Sequence, residues 1–195
     1  MSNWNKKMTG EKISGYKPNS SRLKQYDYTQ SGAYFVTICT YARMCFFGEI
    51  RDGKMFLNKY GKIVNACWLE IPDHFTFVRP APFIVMPNHV HGIIISERPD
   101  YTIPSVETRH AVSMDREEAF QKPVRGSLPT IIRSFKSAAT KRLNKLGNHL
   151  PITTWQRNYY EHIIRNDKEL RQAIDYINFN PSKWTTDENY LENKL

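Results

Sequence analysis

Phe83-Ile84-Val85-Met86-Pro87-Asn88-His89-Val90-His91-Gly92-Ile93-Ile94-Ile95 is the segment that every other part of the chain has to accommodate. Two short apolar runs rich in branched side chains flank a polar centre, the signature of buried strands rather than helices. In a strand, residues i and i+2 share a face. His89 and His91 therefore stand side by side, while Val90 points the other way into the core. A His-x-His tripeptide is common by chance and means little alone. Here two polar rings occupy a face where a core strand normally carries apolar groups, and that placement needs a reason. Paired imidazoles on a rigid element make half a site for a divalent ion.

The composition bounds what surrounds this segment. A chain of 195 residues has room for one domain with a sizeable core. Its net charge of +9 and pI near 9.5 suit a polyanionic partner, with nucleic acid first among them. No basic amphipathic anchor, no apolar run of about 18 residues and no signal-peptide pattern stands out, so the expectation is a soluble cytoplasmic protein without a membrane partner. Cys39, Cys45 and Cys67 fit no zinc spacing and lie among apolar neighbours, which predicts buried free thiols.

Outward from the centre, residues 1–21 read as a poorly ordered basic tail. Ala33 to Thr40 forms a strand whose alternation puts Tyr34, Val36 and Ile38 on one face and Phe35, Thr37 and Cys39 on the other. Cys45 to Ile50 is a second strand, turned at Asp52-Gly53. Leu57 to Ile71 carries apolar groups at the helical period, with Asn58 to cap it and Pro72 to end it. Residues 97–127 are polar, proline-interrupted and aperiodic, and predict a mobile insertion. Ser127 then starts a helix with Leu128, Ile131, Ile132, Phe135, Ala139 and Leu143 on one stripe and basic side chains elsewhere. Those cations describe either a nucleic-acid face or an ordinary solvated one. After the β-leaning Thr153 to Arg157, a helical turn or two is predicted over 159–165 with Asn158 as cap, then a second helix from Asn166-Asp167 through Ile177. Residues 185–195 read as a polar tail.

On such a helix Tyr159 and His162, three apart, look the same way. If that helix covers the face with His89 and His91, three imidazoles and a phenol converge. Imidazoles with open positions suit a Lewis-acidic ion, and a cation lowers the high pKa of a phenol enough for it to act as a nucleophile. Attack on a phosphodiester exchanges one ester for another, so the strand can be rejoined without ATP. No Gly-x-x-x-x-Gly-Lys loop is present, consistent with that chemistry.

Pro87-Asn88-His89-Val90-His91 resembles the His-hydrophobe-His (HUH) motif of the single-strand DNA transposases. Trp155-Gln156-Arg157-Asn158-Tyr159-Tyr160-Glu161-His162-Ile163-Ile164-Arg165 resembles their tyrosine helix, in the REP-associated tyrosine transposase branch. The run from Gly32 to Thr40, Ser134-Phe135-Lys136-Ser137, and Tyr176-Ile177 followed by Asn180-Pro181 are similar to the same branch. The likeness spans residues 22–184 in the right order.

The resemblance implies an α+β, ferredoxin-like antiparallel sheet with helices packed on it, in a single domain. It implies Mg²⁺ or Mn²⁺ on His89 and His91, Tyr159 as nucleophile, a 5′-phosphotyrosine and a free 3′-OH. Tyr160 takes the nucleophile's place if the helix starts one residue later. Relatives often carry a third ligand four residues after the tyrosine; that position is Ile163, which cannot bind metal, so the role passes to His162. Arg133, Lys136, Lys141, Arg157 and Arg165 are the candidate contacts to single-stranded or hairpin DNA. Monomer and homodimer are both open. The competing readings are a replication-initiator or relaxase-type nickase, and a non-enzymatic ferredoxin-like nucleic-acid-binding module.

Overall fold

The computed structural model describes residues 26–98, 124–146 and 153–190. The basic tail expected over 1–21 and most of the insertion expected over 97–127 lie outside them.

Eight residues of alternating β-branched and aromatic side chains build β1, Gly32–Cys39, and eight more build β6, His89–Ser96. They pair antiparallel along their whole length, from Gly32 opposite Ser96 to Cys39 opposite His89. On the far side of β6 the edge is split into β4, Val78–Arg79, and β5, Phe83–Val85. Pro80 and Pro82 stand between them; proline lacks the N–H that a continuous ladder would need. On the far side of β1 lies β7, Tyr160–Ile164. The sheet order is β4-β6-β1-β7, with β5 also on β6 and every pairing antiparallel. With the first long helix before β4–β5 and the second before β7, this is the ferredoxin-like α+β arrangement in one domain. A separate hairpin of β2, Gly48–Arg51, and β3, Lys54–Leu57, turns at Asp52-Gly53, where both residues have positive φ.

Helix α1, Lys59–Leu69, is capped by Asn58, whose side chain accepts from the amides of Tyr60 and Gly61. The helix expected through Ile71 breaks at Glu70. Pro72 then sits in the first turn of a separate short helix, α2, Ile71–His74, where its missing N–H costs nothing. Helix α3, Leu128–Asn144, follows Ser127 with Pro129 in its first turn, and helix α4, Asp167–Phe179, is capped by Asn166.

The two faces of the sheet bury different things. Tyr34, Val36, Ile38, Val90 and Ile94 meet α1 and α3 through Val64, Trp68, Leu128, Ile131, Ile132 and Phe135. Complete burial of such side chains stabilises by about 1.5–3 kcal/mol each. The Trp68 ring closes on the strand at Gly92; a Cβ there would stand 2.2 Å from its ring, so the close approach requires glycine. The opposite face, with Phe35, Ile93 and Ile164, is covered by Ala173 and Ile177 of α4.

Three expectations are corrected. Residues 160–164 are a strand, not a helix, because the free edge of β1 pairs with them from Ala33 opposite Ile164 to Thr37 opposite Tyr160. Backbone pairing along a buried strand outweighs the local preference of five residues. The polar tail expected from 185 is, through 190, folded onto the sheet: a 3-10 turn, Pro181–Thr186, buries Trp184, and Asn189 is buried after it. Cys45 is exposed and Cys39 half-buried, leaving only Cys67 buried as expected. Among the described residues, no helix is long and apolar enough to cross a membrane.

Candidate metal centre

His89 and His91 point to the α4 face of β6 and are both fully buried. Their Nε2 atoms face one another at 2.8 Å. The ring of His89 is aimed by its neighbour. Asn88 spends both amide hydrogens on backbone carbonyls, those of Arg43 at 2.9 Å and Asn189 at 2.8 Å. Its Oδ1 is therefore left as acceptor for His89 Nδ1 at 2.7 Å. A ring that donates from Nδ1 presents the lone pair on Nε2, the tautomer a metal ligand needs. His91 is held by Thr37 Oγ1 at 2.9 Å from its Nδ1, and by the Phe35 ring stacked on it at 5.5 Å.

The third donor comes from the segment read as a tail. His89, His91 and Asp187 each bring one ligand atom within 4.8 Å of the others. Asp187 Oδ2 is 3.9 Å from His91 Nε2, and Asp187 is turned toward the pair by Asn180 Nδ2 at 2.8 Å and by the amide of Asn189 at 2.7 Å. Burial acts to raise the Asp187 pKa, but the His91 and His89 imidazoles outweigh it and hold the carboxyl well below the usual range. Two imidazole nitrogens and one carboxylate oxygen are a donor set that suits a divalent ion.

A phenol belongs to the same cluster. Tyr176, on α4, donates from Oη to Asp187 Oδ2 at 3.2 Å, and its ring stands edge-on to His91 at 5.0 Å. Burial first, then the Asp187 charge, pushes its pKa well above the ordinary phenol value. The turn that supplies Asp187 also roofs the site, with Trp184 at 5.8 Å from the His89 ring and Arg43 Nη1 donating to the Glu188 carbonyl at 2.8 Å.

The residues expected on a tyrosine helix go elsewhere. Tyr159, just before β7, turns to the α1/α3 face, where it packs against that core with Lys136 above its ring. Tyr160 lies on the α4 face with Thr37 between it and His91, and burial pushes its pKa up to about 12. His162 shares that face but pairs with Phe35, two positions along the ladder from Thr37. Its Nε2 meets Glu169 Oε2 at 3.1 Å. A carboxylate accepts, so this nitrogen donates and offers no lone pair to a metal. The structure thus groups Asp187, not His162, with the histidine pair.

Lys136 is also not free for DNA in this arrangement: its ammonium donates to the carbonyl of Gln156 at 2.8 Å, with those of Arg157 and Asn158 at 3.3 and 3.4 Å. Arg133 and Lys141 are exposed on α3, behind the sheet from the pair, and Arg157 and Arg165 are exposed at the two ends of β7. Asp187 could not have been found locally, since it lies in a polar stretch about a hundred residues from the histidines. Tyr176 left one signal, an aromatic hydroxyl beside the apolar positions Ala173 and Ile177.

No protein-family model matches the chain. An uncharacterised protein of Haemophilus influenzae is 40% identical over 176 residues, covering 89% of this chain and 93% of that one. A second protein of the same organism, provisionally named a REP-associated tyrosine transposase, is 26% identical over 157 residues, covering 80% of this chain and 74% of that one. A solved REP-associated tyrosine transposase bound to a REP hairpin shares the fold with a TM-score of 0.51 at 20% identity, over 84% of this chain and 74% of the other. The histidine pair and the sheet order accord with these likenesses: in sequence the chain is similar to a REP-associated tyrosine transposase, and in fold it is similar to a solved one.

Proposed function

We propose that the protein nicks and rejoins single-stranded DNA next to a hairpin, with Tyr176 as the nucleophile and Mg²⁺ or Mn²⁺ as cofactor. The observation that carries this reading is the hydrogen bond from the Tyr176 phenol to Asp187, the same carboxylate that completes the donor set of His89 and His91. A divalent ion held by His89 Nε2, His91 Nε2 and Asp187 would polarise a phosphodiester and offset the carboxylate charge that keeps the phenol protonated. The remaining work is done by the chain. Asn88 and Thr37 keep the two imidazoles aimed, and Asn180 keeps Asp187 turned inward. The phenolic proton already points along a hydrogen bond to Asp187.

Attack forms the bond from Tyr176 Oη to phosphorus and breaks the bond from phosphorus to the 3′ oxygen. The departing 3′ oxygen takes up the proton that the phenol gives up. The products are a 5′-phosphotyrosine and a free 3′-OH, and the reverse attack by another 3′-OH rejoins the strand. The turn over the histidines has to give way for a phosphate to enter, because both rings are fully buried beneath it. Exposed Arg157 and Arg165, which flank β7, are the proposed phosphate contacts, with Arg133 and Lys141 as a second basic face.

The test is a hairpin oligonucleotide with a single-stranded flank, incubated with Mn²⁺ and resolved on a denaturing gel. Wild type, Tyr159→Phe and Tyr160→Phe are expected to give a covalent protein–DNA band, and Tyr176→Phe none. A band that survives in Tyr176→Phe and disappears in Tyr160→Phe moves the nucleophile to β7. A band in all three variants removes the tyrosine mechanism.

A further inference from the structure

We propose that His162 and Glu169 are positioning residues that set the rotation of α4, and with it the aim of Tyr176. The inference rests on the reading of Tyr176 as nucleophile. Glu169 Oε2 accepts from two donors: the amide of Arg165 at 3.0 Å and Nε2 of His162 at 3.1 Å. The amide of Glu169 in turn donates to the Asn166 cap at 3.0 Å. The first turn of α4 is thus closed on itself and bonded to a side chain of the sheet. His162 is half-buried on the same sheet face as His91, beside Phe35.

The geometry links this tie to the phenol. Glu169 and Tyr176 are seven residues apart, about two helical turns, so they lie on one stripe of α4 about 10.5 Å apart along the axis. The rest of the helix meets the sheet through apolar and ring contacts, Ala173 and Ile177 with Leu170, Ile174 and Tyr176 packed beside them. Apolar contact is non-directional and lets a helix roll. A hydrogen bond is directional and resists rolling. Beyond Tyr176, the Asn180–Asp187 bond holds the other end of the stripe. The two polar ties bracket the phenol.

A polar pair in this apolar setting also carries a cost that an aliphatic pair would not. Burial lowers the His162 pKa although Glu169 opposes it. On Glu169, the Arg165 amide and His162 outweigh the opposing effect of burial and lower its pKa. Directional anchoring is the return on that cost. A phenol displaced by about 1 Å from the line of attack loses up to about 100-fold in rate.

The experiment uses the full chain, Mn²⁺ and the hairpin oligonucleotide, with single-turnover formation of the covalent band as readout. His162→Phe keeps ring volume without the donor, and Glu169→Ala removes the acceptor. Each is expected to slow the band by about 10- to 100-fold, with hairpin affinity and Mn²⁺ affinity unchanged. The double variant should be no slower than the singles, as for one shared interaction. His162→Gln, whose amide can donate to Glu169, should recover most of the rate. Wild-type rates in His162→Phe, while Tyr176→Phe is inactive, overturn the inference and leave the nucleophile standing. Loss of Mn²⁺ binding in His162→Phe also overturns it, by making the ring a ligand. A band retained in Tyr176→Phe overturns the reading on which it rests.

Discussion

The two faces of the central sheet are built from the same strands, one residue out of phase, yet they solve opposite problems. The α1/α3 face buries Val36, Ile38, Val90 and Ile94 under two amphipathic helices. The α4 face buries Thr37, His89 and His91 in the alternate positions. The first face needs only volume and apolar area. The second hides polar side chains that need partners, and it draws on Asn88, Asn180, Asp187 and Asn189 to supply them. Buried polar groups are tolerable when they are hydrogen-bonded and costly when they are not. An apolar face can therefore be assembled from helices close at hand, whereas a polar one draws partners from wherever the chain can supply them.

Substitutions on the two faces should separate cleanly. The largest contrast is between Asp187→Ala and Tyr159→Phe. The first removes a proposed ligand and the phenol's acceptor together; Mn²⁺ affinity and the rate of covalent adduct formation should both fall by at least about 100-fold. The second, on the α1/α3 face, should leave the adduct rate at the wild-type value. Equal effects would mean the faces have been assigned the wrong way round.

Next in size is Asn88→Ala, which touches neither metal nor DNA in the proposed chemistry but frees the His89 ring to turn. Mn²⁺ affinity measured by calorimetry should drop about 10- to 100-fold while the fold is kept. The converse case is Gly92→Ala, which should press on Trp68 and lower stability in urea by about 1–3 kcal/mol. Adduct formation per folded molecule should not change, because the new methyl group faces away from the histidines.

The smallest expected effect is a pH slope. The pKa of Glu169 is lowered in the fold, so its contribution is fully present above the unfolded value of about 4.3 and disappears as pH falls through the folded value. Urea midpoints of wild type and Glu169→Gln should converge in acid, from a gap of less than about 1 kcal/mol at neutral pH, given the partial exposure of the pair. A gap that widens in acid would contradict the lowered pKa.

The tyrosine segment shows why part of the site was hard to read. Tyr159 and His162 share a face at helical spacing, whereas Tyr160 and His162 share one at strand spacing. Five residues with aromatic and branched side chains satisfy both periods. The free edge of β1 decided between them, and the choice sent Tyr159 behind the sheet. The His-x-His strand had no such ambiguity, because apolar runs on both sides set its pleat and placed Val90 opposite the two imidazoles.

From residues alone came the alternation of β1 and β6, the cap at Asn58, the start of α4 at Asn166-Asp167, the apolar stripes of α1 and α3, and the side-by-side histidines. All of these depend on neighbours within a few positions, where a period of 2 or 3.6 is written directly in the order of side chains. Which strand would pair with β1, and which phenol and carboxylate would meet the histidines, depended on contacts between segments about a hundred residues apart. No local period encodes those, since they are settled only when buried polar atoms find partners as the chain closes on itself.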